Sequence, residues 1–205
     1  MKPQGERALR IGMFGGAFDP PHIAHIALAR AAVQQLDLDK LHIIPTGFAW
    51  HKARVLTDRK HRIAMCELAF AQVPGVVVDP RETLRNGPTY TADTLTELKS
   101  QYPGAEIFLV LGEDQARALG QWHRADEVRG NAIICVAARP DSAESARQTG
   151  TESIEIPGMR LIHMPPTAVS ATEIRHIAAQ QHSLTPLVFD SVARYIDQHH
   201  LYRTA

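Results

Sequence analysis

Short apolar runs recur along the chain, each followed by a segment of helical period, and this alternation limits the folds open to it. Leu9 to Phe14, Leu41 to Ile44, Val76 to Val78, Ile107 to Leu111 and Ile133 to Ala137 have strand length, and Arg160 to His163 adds a sixth. Continuous runs of this kind suit strands covered on both faces, as in a parallel sheet. Between and after them, Ile23 to Leu36, Asp58 to Ala71, Thr91 to Leu98, a segment opening at Ser170 and Pro186 to His199 carry helical patterns. Repeated strand-helix units predict an α/β fold with a doubly wound, mostly parallel sheet. Ligands bind such sheets beyond the C-terminal ends of the strands, where the strand order reverses. A length of 205 residues suits one core, so 1–205 is read as a single domain. The polar connection 139–158, rich in Ser, Glu, Gly and Thr, is expected to be a mobile loop.

Composition narrows the partners. Lys plus Arg and Asp plus Glu are 22 each, so no general basic field argues for nucleic acid, and phosphate chemistry has to be local. Two cysteines, Cys66 and Cys135, form no disulfide framework and suit a reducing compartment. The N-terminus lacks the apolar core of a signal peptide, and no run is long enough to span a bilayer. A cytoplasmic protein without a membrane partner is expected. Oligomeric state is left open, a homo-oligomer included.

The stretch from Gly15 to His25, Gly-Gly-Ala-Phe-Asp-Pro-Pro-His-Ile-Ala-His, stands at the exit of the first strand. Two glycines there let a phosphate or another backbone come close. Asp19 is expected to cap the helix that follows, with Pro20 and Pro21 in its first turn, where a missing N–H costs little. His22 and His25, three apart, share one face near the helix N-terminus, and a phosphate there would meet two imidazoles and free backbone N–H groups together. The two histidines could instead be surface residues or metal ligands. Against zinc, no cysteine or third histidine stands nearby at ligand spacing.

This segment resembles the H-x-G-H signature of the nucleotidyltransferase superfamily, in the form G-G-x-F-D-P-P-H-x-G-H typical of bacterial nicotinate-nucleotide adenylyltransferases. Ala24 replaces the glycine between the histidines. The resemblance implies a Rossmann-like nucleotidyltransferase fold and assigns His22 and His25 to the ATP phosphates, with Gly15, Gly16 and Phe18 lining the ATP site.

Other segments resemble the same family in the same order. Val169 to Arg175 is a capping box in its own right, with Ser170 as cap and Glu173 three residues on. It is also similar to the family motif I-S-S-T-x-I-R, with Ala171 for the middle serine, which implies that Ser170, Thr172 and Arg175 grip ATP phosphates. Pro45 to Lys52 resembles the loop that ends in His-Lys and brings a cation, Lys52, to the triphosphate. Gly112-Glu113-Asp114 resembles a G-x-D in which Gly112 permits close approach and Asp114 binds the ATP ribose. Thr89-Tyr90-Thr91-Ala92-Asp93-Thr94-Leu95 is similar to a segment of the nicotinate branch that seats the mononucleotide. Trp122 corresponds to an aromatic position against the pyridine ring, where an indole face suits an electron-poor ring.

The expected reaction is AMP transfer from ATP to nicotinate mononucleotide, giving deamido-NAD and pyrophosphate in NAD synthesis. The mononucleotide phosphate is already anionic near pH 7, so no protein nucleophile is required. Catalysis then rests on alignment and on offsetting charge as pyrophosphate leaves, with His22, His25, Lys52 and Arg175 as the source of that charge. Mg2+ is expected, held mainly by the ATP phosphates rather than by a protein cage. Nicotinamide mononucleotide and phosphopantetheine are the alternative acceptors, and a non-catalytic nucleotide sensor is the rival of another class. A dinucleotide-binding dehydrogenase would require G-x-G-x-x-G after a strand, which Gly15-Gly16 does not provide.

Overall fold

The computed structural model describes residues 7–47, 55–138, 158–165 and 167–203. The strands are β1 (Arg10–Gly16), β2 (Lys40–Pro45), β3 (Val76–Val78), β4 (Glu106–Leu111), β5 (Ile133–Ala138) and β6 (Arg160–His163). They form one sheet in the order β3-β2-β1-β4-β5-β6, and every neighbouring pair is parallel. The helices are α1 (Ile23–Gln35), α2 (Arg59–Phe70), α3 (Thr91–Gln101), α4 (Glu113–Ala118), α5 (Ala125–Asn131), α6 (Ala171–Ala179) and α7 (Asp190–Gln198). This is the doubly wound architecture expected from the alternation. The strand order reverses between β1 and β4, so the residues after those two strands occupy the crevice where ligands bind such sheets.

Alternation of side chains along each strand builds two cores. Phe14, Leu41, Ile43, Phe108 and Val110 pack with α1, α2, α6 and α7 on one face. Ile11, Met13, Ile44, Ile107, Leu109 and Leu111 pack with α3, α4 and α5 on the other. In α1 the residues nearest the sheet include Ala29 and Ala32, both fully buried, and their small side chains let the helix approach closely. Both cysteines are buried free thiols. Among the described residues no helix is long and apolar enough to cross a membrane.

Three local expectations change. Gly15 and Gly16 are the last two residues of β1, paired with Ile44 and Pro45, instead of a turn after it. His22, not Asp19, is the N-cap of α1, and both prolines precede the helix. The C-terminal helix begins at Asp190, because Leu184 to Phe189 form turns before it. The short helices α4 and α5 and the 3-10 turn Arg81–Leu84 also carry no strong period in the sequence.

Candidate functional site

Beyond Gly16 the chain bends sharply, with Phe18 at φ 46°. The Phe18 ring turns back into the core, 1 % exposed, edge-on to Phe14, Phe70 and His25 at centroid distances of 5.4, 5.9 and 5.0 Å. A Cβ on Gly16 would lie 3.1 Å from that ring, so this glycine makes room for Phe18. Gly15 is less constrained, with nothing nearer than 3.8 Å to an added Cβ. The side chain of Phe18, expected to line the ATP site, lies in the core and packs against His25.

At the start of α1 the His22 amide donates to His25 Nδ1 at 3.2 Å, which places the proton of a neutral His25 on Nε2. The two rings stack, centroids 3.7 Å apart and planes 29° apart. Burial pushes the His22 imidazole down to about 4, and burial together with His22 pushes His25 well below its ordinary value. Both shifts favour neutral imidazoles in the free protein near pH 7. Among the described residues His22 Nδ1 is buried with no hydrogen-bond partner, a costly state for a polar atom.

Helix α6 brings the second group. The Ser170 hydroxyl accepts from the Glu173 amide at 3.1 Å and caps the helix as its sequence suggests. One turn on, Arg175 donates to the Asp19 carbonyl at 2.9 Å and to the Thr172 hydroxyl at 3.0 Å, so Thr172 and Arg175 meet the loop after β1. The Asp19 carboxylate accepts from Tyr202 Oη at 2.7 Å and from the Thr57 amide at 3.1 Å. Buried Arg62 donates to Ala17 O at 3.0 Å and Thr57 O at 2.9 Å, and the Ile23 amide bonds Leu187 O at 3.1 Å. Lys52 lies outside the described residues.

A second cluster begins one residue past the end of β2. The Thr46 amide bonds Gly16 O at 2.8 Å, and Gly47 packs so tightly that an added Cβ would sit 2.1 Å from Glu82 O and 2.9 Å from Thr89 Cγ2. Burial raises the Glu82 carboxyl, opposed by a hydrogen bond from the Thr94 hydroxyl and by the charge of Arg85. Thr94 Oγ1 is 2.8 Å from Glu82 Oε1. Beneath this turn, burial opposes ionisation of Asp79, yet hydrogen bonds from His42 and Arg81, both at 2.8 Å, hold its carboxyl well below the usual range. Thr89, Tyr90 and Thr91 thus stand at the start of α3, with Thr89 beside the Gly47 turn.

The aromatic position is more complex than the sequence suggests. The Tyr90 ring faces His123, centroids 4.1 Å apart and planes 35° apart, whereas Trp122 packs half-buried against the α3–α5 core. Gly112 caps α4, and Asp114 is exposed in that helix's first turn, beside the reversal of strand order. No contact joins Asp114 to the histidine pair among the described residues. Asp19, Tyr202, Glu82 and His123 carry interactions that sequence reasoning did not assign, since each depends on partners remote in the chain.

Comparison with known proteins agrees with this layout. Residues 13–177 match the model of the family described as Cytidylyltransferase-like. A protein of Albidiferax ferrireducens named "Probable nicotinate-nucleotide adenylyltransferase" is 54 % identical over 196 residues, covering 96 % of this chain and 99 % of the relative. One of the same name from Methylibium petroleiphilum is 43 % identical, covering 94 % and 92 %. Among solved structures, Plasmodium falciparum nicotinic acid mononucleotide adenylyltransferase complexed with NaAD superposes with a TM-score of 0.74 at 18 % identity, covering 95 % of this chain and 97 % of that one.

Proposed function

Since the chain belongs to the cytidylyltransferase-like family and, within it, to the nicotinate-nucleotide adenylyltransferases, we propose that it transfers AMP from ATP to nicotinate mononucleotide. The products are deamido-NAD and pyrophosphate. The observation that carries this reading is the buried, unpartnered Nδ1 of His22, in a stacked histidine pair that abuts the loop held by Arg175. A phosphate oxygen at the N-terminus of α1 would satisfy it and meet backbone N–H groups as well.

In the reaction, a phosphate oxygen of the mononucleotide attacks Pα of ATP as the bond from Pα to the bridging oxygen breaks. That oxygen leaves as part of pyrophosphate. The attacking phosphate is already ionised, so the protein's work is alignment and stabilisation of charge on the transferring and leaving groups. His22 and His25 enter neutral and act as N–H donors, and an arriving polyanion favours their protonated forms. Arg175 and Lys52 supply fixed positive charge. Gly15, Gly16, Gly112, Asp114, Ser170 and Thr172 surround ATP, while Thr89, Tyr90, Thr91 and Trp122 seat the mononucleotide. Mg2+ takes oxygen ligands, and imidazole nitrogens suit it poorly, so the ATP phosphates rather than the histidines would hold it, and it would offset part of their charge.

The test is direct. Purified protein with ATP and Mg2+ is offered nicotinate mononucleotide, nicotinamide mononucleotide or phosphopantetheine, and pyrophosphate and dinucleotide are measured. We expect release with nicotinate mononucleotide and a kcat/KM at least about tenfold lower for the amide, because backbone donors near Asn86-Gly87-Pro88 favour an ionised acceptor. No release with any acceptor refutes adenylyl transfer, and equal rates with both pyridine nucleotides refute the preference.

A further inference from the structure

The Asp19 carboxylate, in a residue only 2 % exposed, is where three parts of the chain converge on the loop after β1. Tyr202 Oη and the Thr57 amide bond its two oxygens at 2.7 and 3.1 Å, and Arg175 bonds its carbonyl. Thr57 follows closely the segment that carries Lys52, and Arg62 binds Thr57 and Ala17 to each other. Tyr202 reaches this place from the turn after α7, where His200 and Tyr202 both adopt left-handed backbone, φ 51° and 64°, and the Leu201 amide returns to Ile196 O at 3.0 Å. A buried carboxylate that loses a donor has to shift toward another, and its backbone shifts with it. His22 is three residues away on that backbone.

We propose that Tyr202 is a positioning residue of the transfer reaction: through Asp19 its hydroxyl holds the loop after β1 in the arrangement in which His22 and Arg175 meet the nucleotide phosphates. The inference rests on the adenylyl-transfer reading above. The hydroxyl acts on the loop rather than on substrate, and the rest of the Tyr202 side chain is packing in the α1, α2, α6 and α7 core.

Tyr202→Phe removes the hydroxyl and keeps the ring. Together with Asp19→Asn and the double variant, it is compared with the unmodified protein for kcat, for KM of ATP and of nicotinate mononucleotide, and for Tm. The expected result is a fall in kcat of about tenfold for Tyr202→Phe, with the mononucleotide KM changed less than about twofold. The double variant should be no slower than Asp19→Asn alone, since two residues acting through one contact do not add. Unchanged kcat in Tyr202→Phe, even with a lowered Tm, makes the hydroxyl a structural tie only and overturns the proposal. Multiplying losses in the double variant overturn it too, and that comparison stands if Tyr202→Phe is less stable. An unmodified protein that releases no pyrophosphate refutes the adenylyl-transfer reading and this inference with it, whereas an active protein with unaffected Tyr202→Phe turnover refutes the inference alone.

Discussion

The imidazoles of His22 and His25 lie face to face at 3.7 Å, with the His22 amide donating to the His25 ring. Two charged rings at that separation would repel, and burial disfavours charge on either. The pair is therefore a set of oriented dipoles at rest.

Replacing His25 tests that role. His25→Asn retains a donor and an acceptor but loses the ring that packs on Phe18 and Phe14. The turnover number should fall about a hundredfold, the cost of misplacing one donor at a developing charge. Loss of one aromatic contact of about 1 kcal/mol lowers Tm by only about 3 °C in a chain of this size. Steady-state kinetics beside a thermal melt separates the two, and near-normal turnover would remove His25 from the chemistry.

The histidine pair also sets a pH dependence of stability. The folded His22 titrates near 4 against an ordinary 6.5, so between those values the unfolded chain binds more protons. Stability is full above about pH 6.5 and is lost as pH falls toward 4, by about 3 kcal/mol for His22, and His25 acts in the same direction. Asp79 acts lower: its depressed carboxyl contributes stability that is lost only as pH drops below its ordinary 3.8. Calorimetry should give a Tm roughly 10 °C lower at pH 4 than at pH 7, and His22→Gln should flatten that slope. A level profile from pH 6.5 to 4 in the unmodified protein would show the imidazoles to be solvated.

Gly47 has no room for a methyl group. In Gly47→Ala the new Cβ would stand 2.1 Å from the Glu82 carbonyl, and backbone does not yield as a flexible side chain does. The turn between the histidine loop and Thr89 must move, with a destabilisation of about 2 kcal/mol. The mononucleotide KM should rise about tenfold, or 1.4 kcal/mol of binding. Unaltered KM and Tm would mean that the turn is free to adjust.

Trp122 and His123 separate packing from recognition. Trp122→Ala should raise the mononucleotide KM and leave the ATP KM nearly unchanged, since the indole belongs to the α3–α5 side of the sheet. His123→Ala, which frees the face of Tyr90, should change the mononucleotide KM less than Trp122→Ala does. An ATP KM that rises in Trp122→Ala would place the indole beside adenine.

The strands were legible because an apolar run covered on both faces leaves little choice of structure, and Leu41 to Ile44 or Ile107 to Leu111 fall inside their observed bounds. In α1 the segment Ile-Ala-His-Ile-Ala-Leu-Ala-Arg-Ala-Ala-Val is apolar nearly all round, so its period located the helix but pointed to Ile23, Ile26, Ala27, Ala31 and Val33 as the buried face, where the structure buries Ile26, Leu28, Ala29 and Ala32. Ser170 and Asp58 were readable as caps because a cap acts within three residues. Asp19 was not, because its partners stand 38 and 183 positions away. The protonation of His25 escaped because its burial against Phe14 and Phe18 is a property of packing, not of spacing.

The 183 positions between Asp19 and Tyr202 also have a meaning in time. A ribosome adds roughly 5 to 20 residues per second, so the loop after β1 emerges roughly ten to forty seconds before the tyrosine that meets it. Through that interval the nascent chain has already displayed its glycines, prolines and histidines, while α6, Leu187 and the turn after α7 are still to be made. A polypeptide halted at the end of the sheet would hold the loop after β1 through Thr57 and Arg62 alone, without the ties that Arg175, Leu187 and Tyr202 add later.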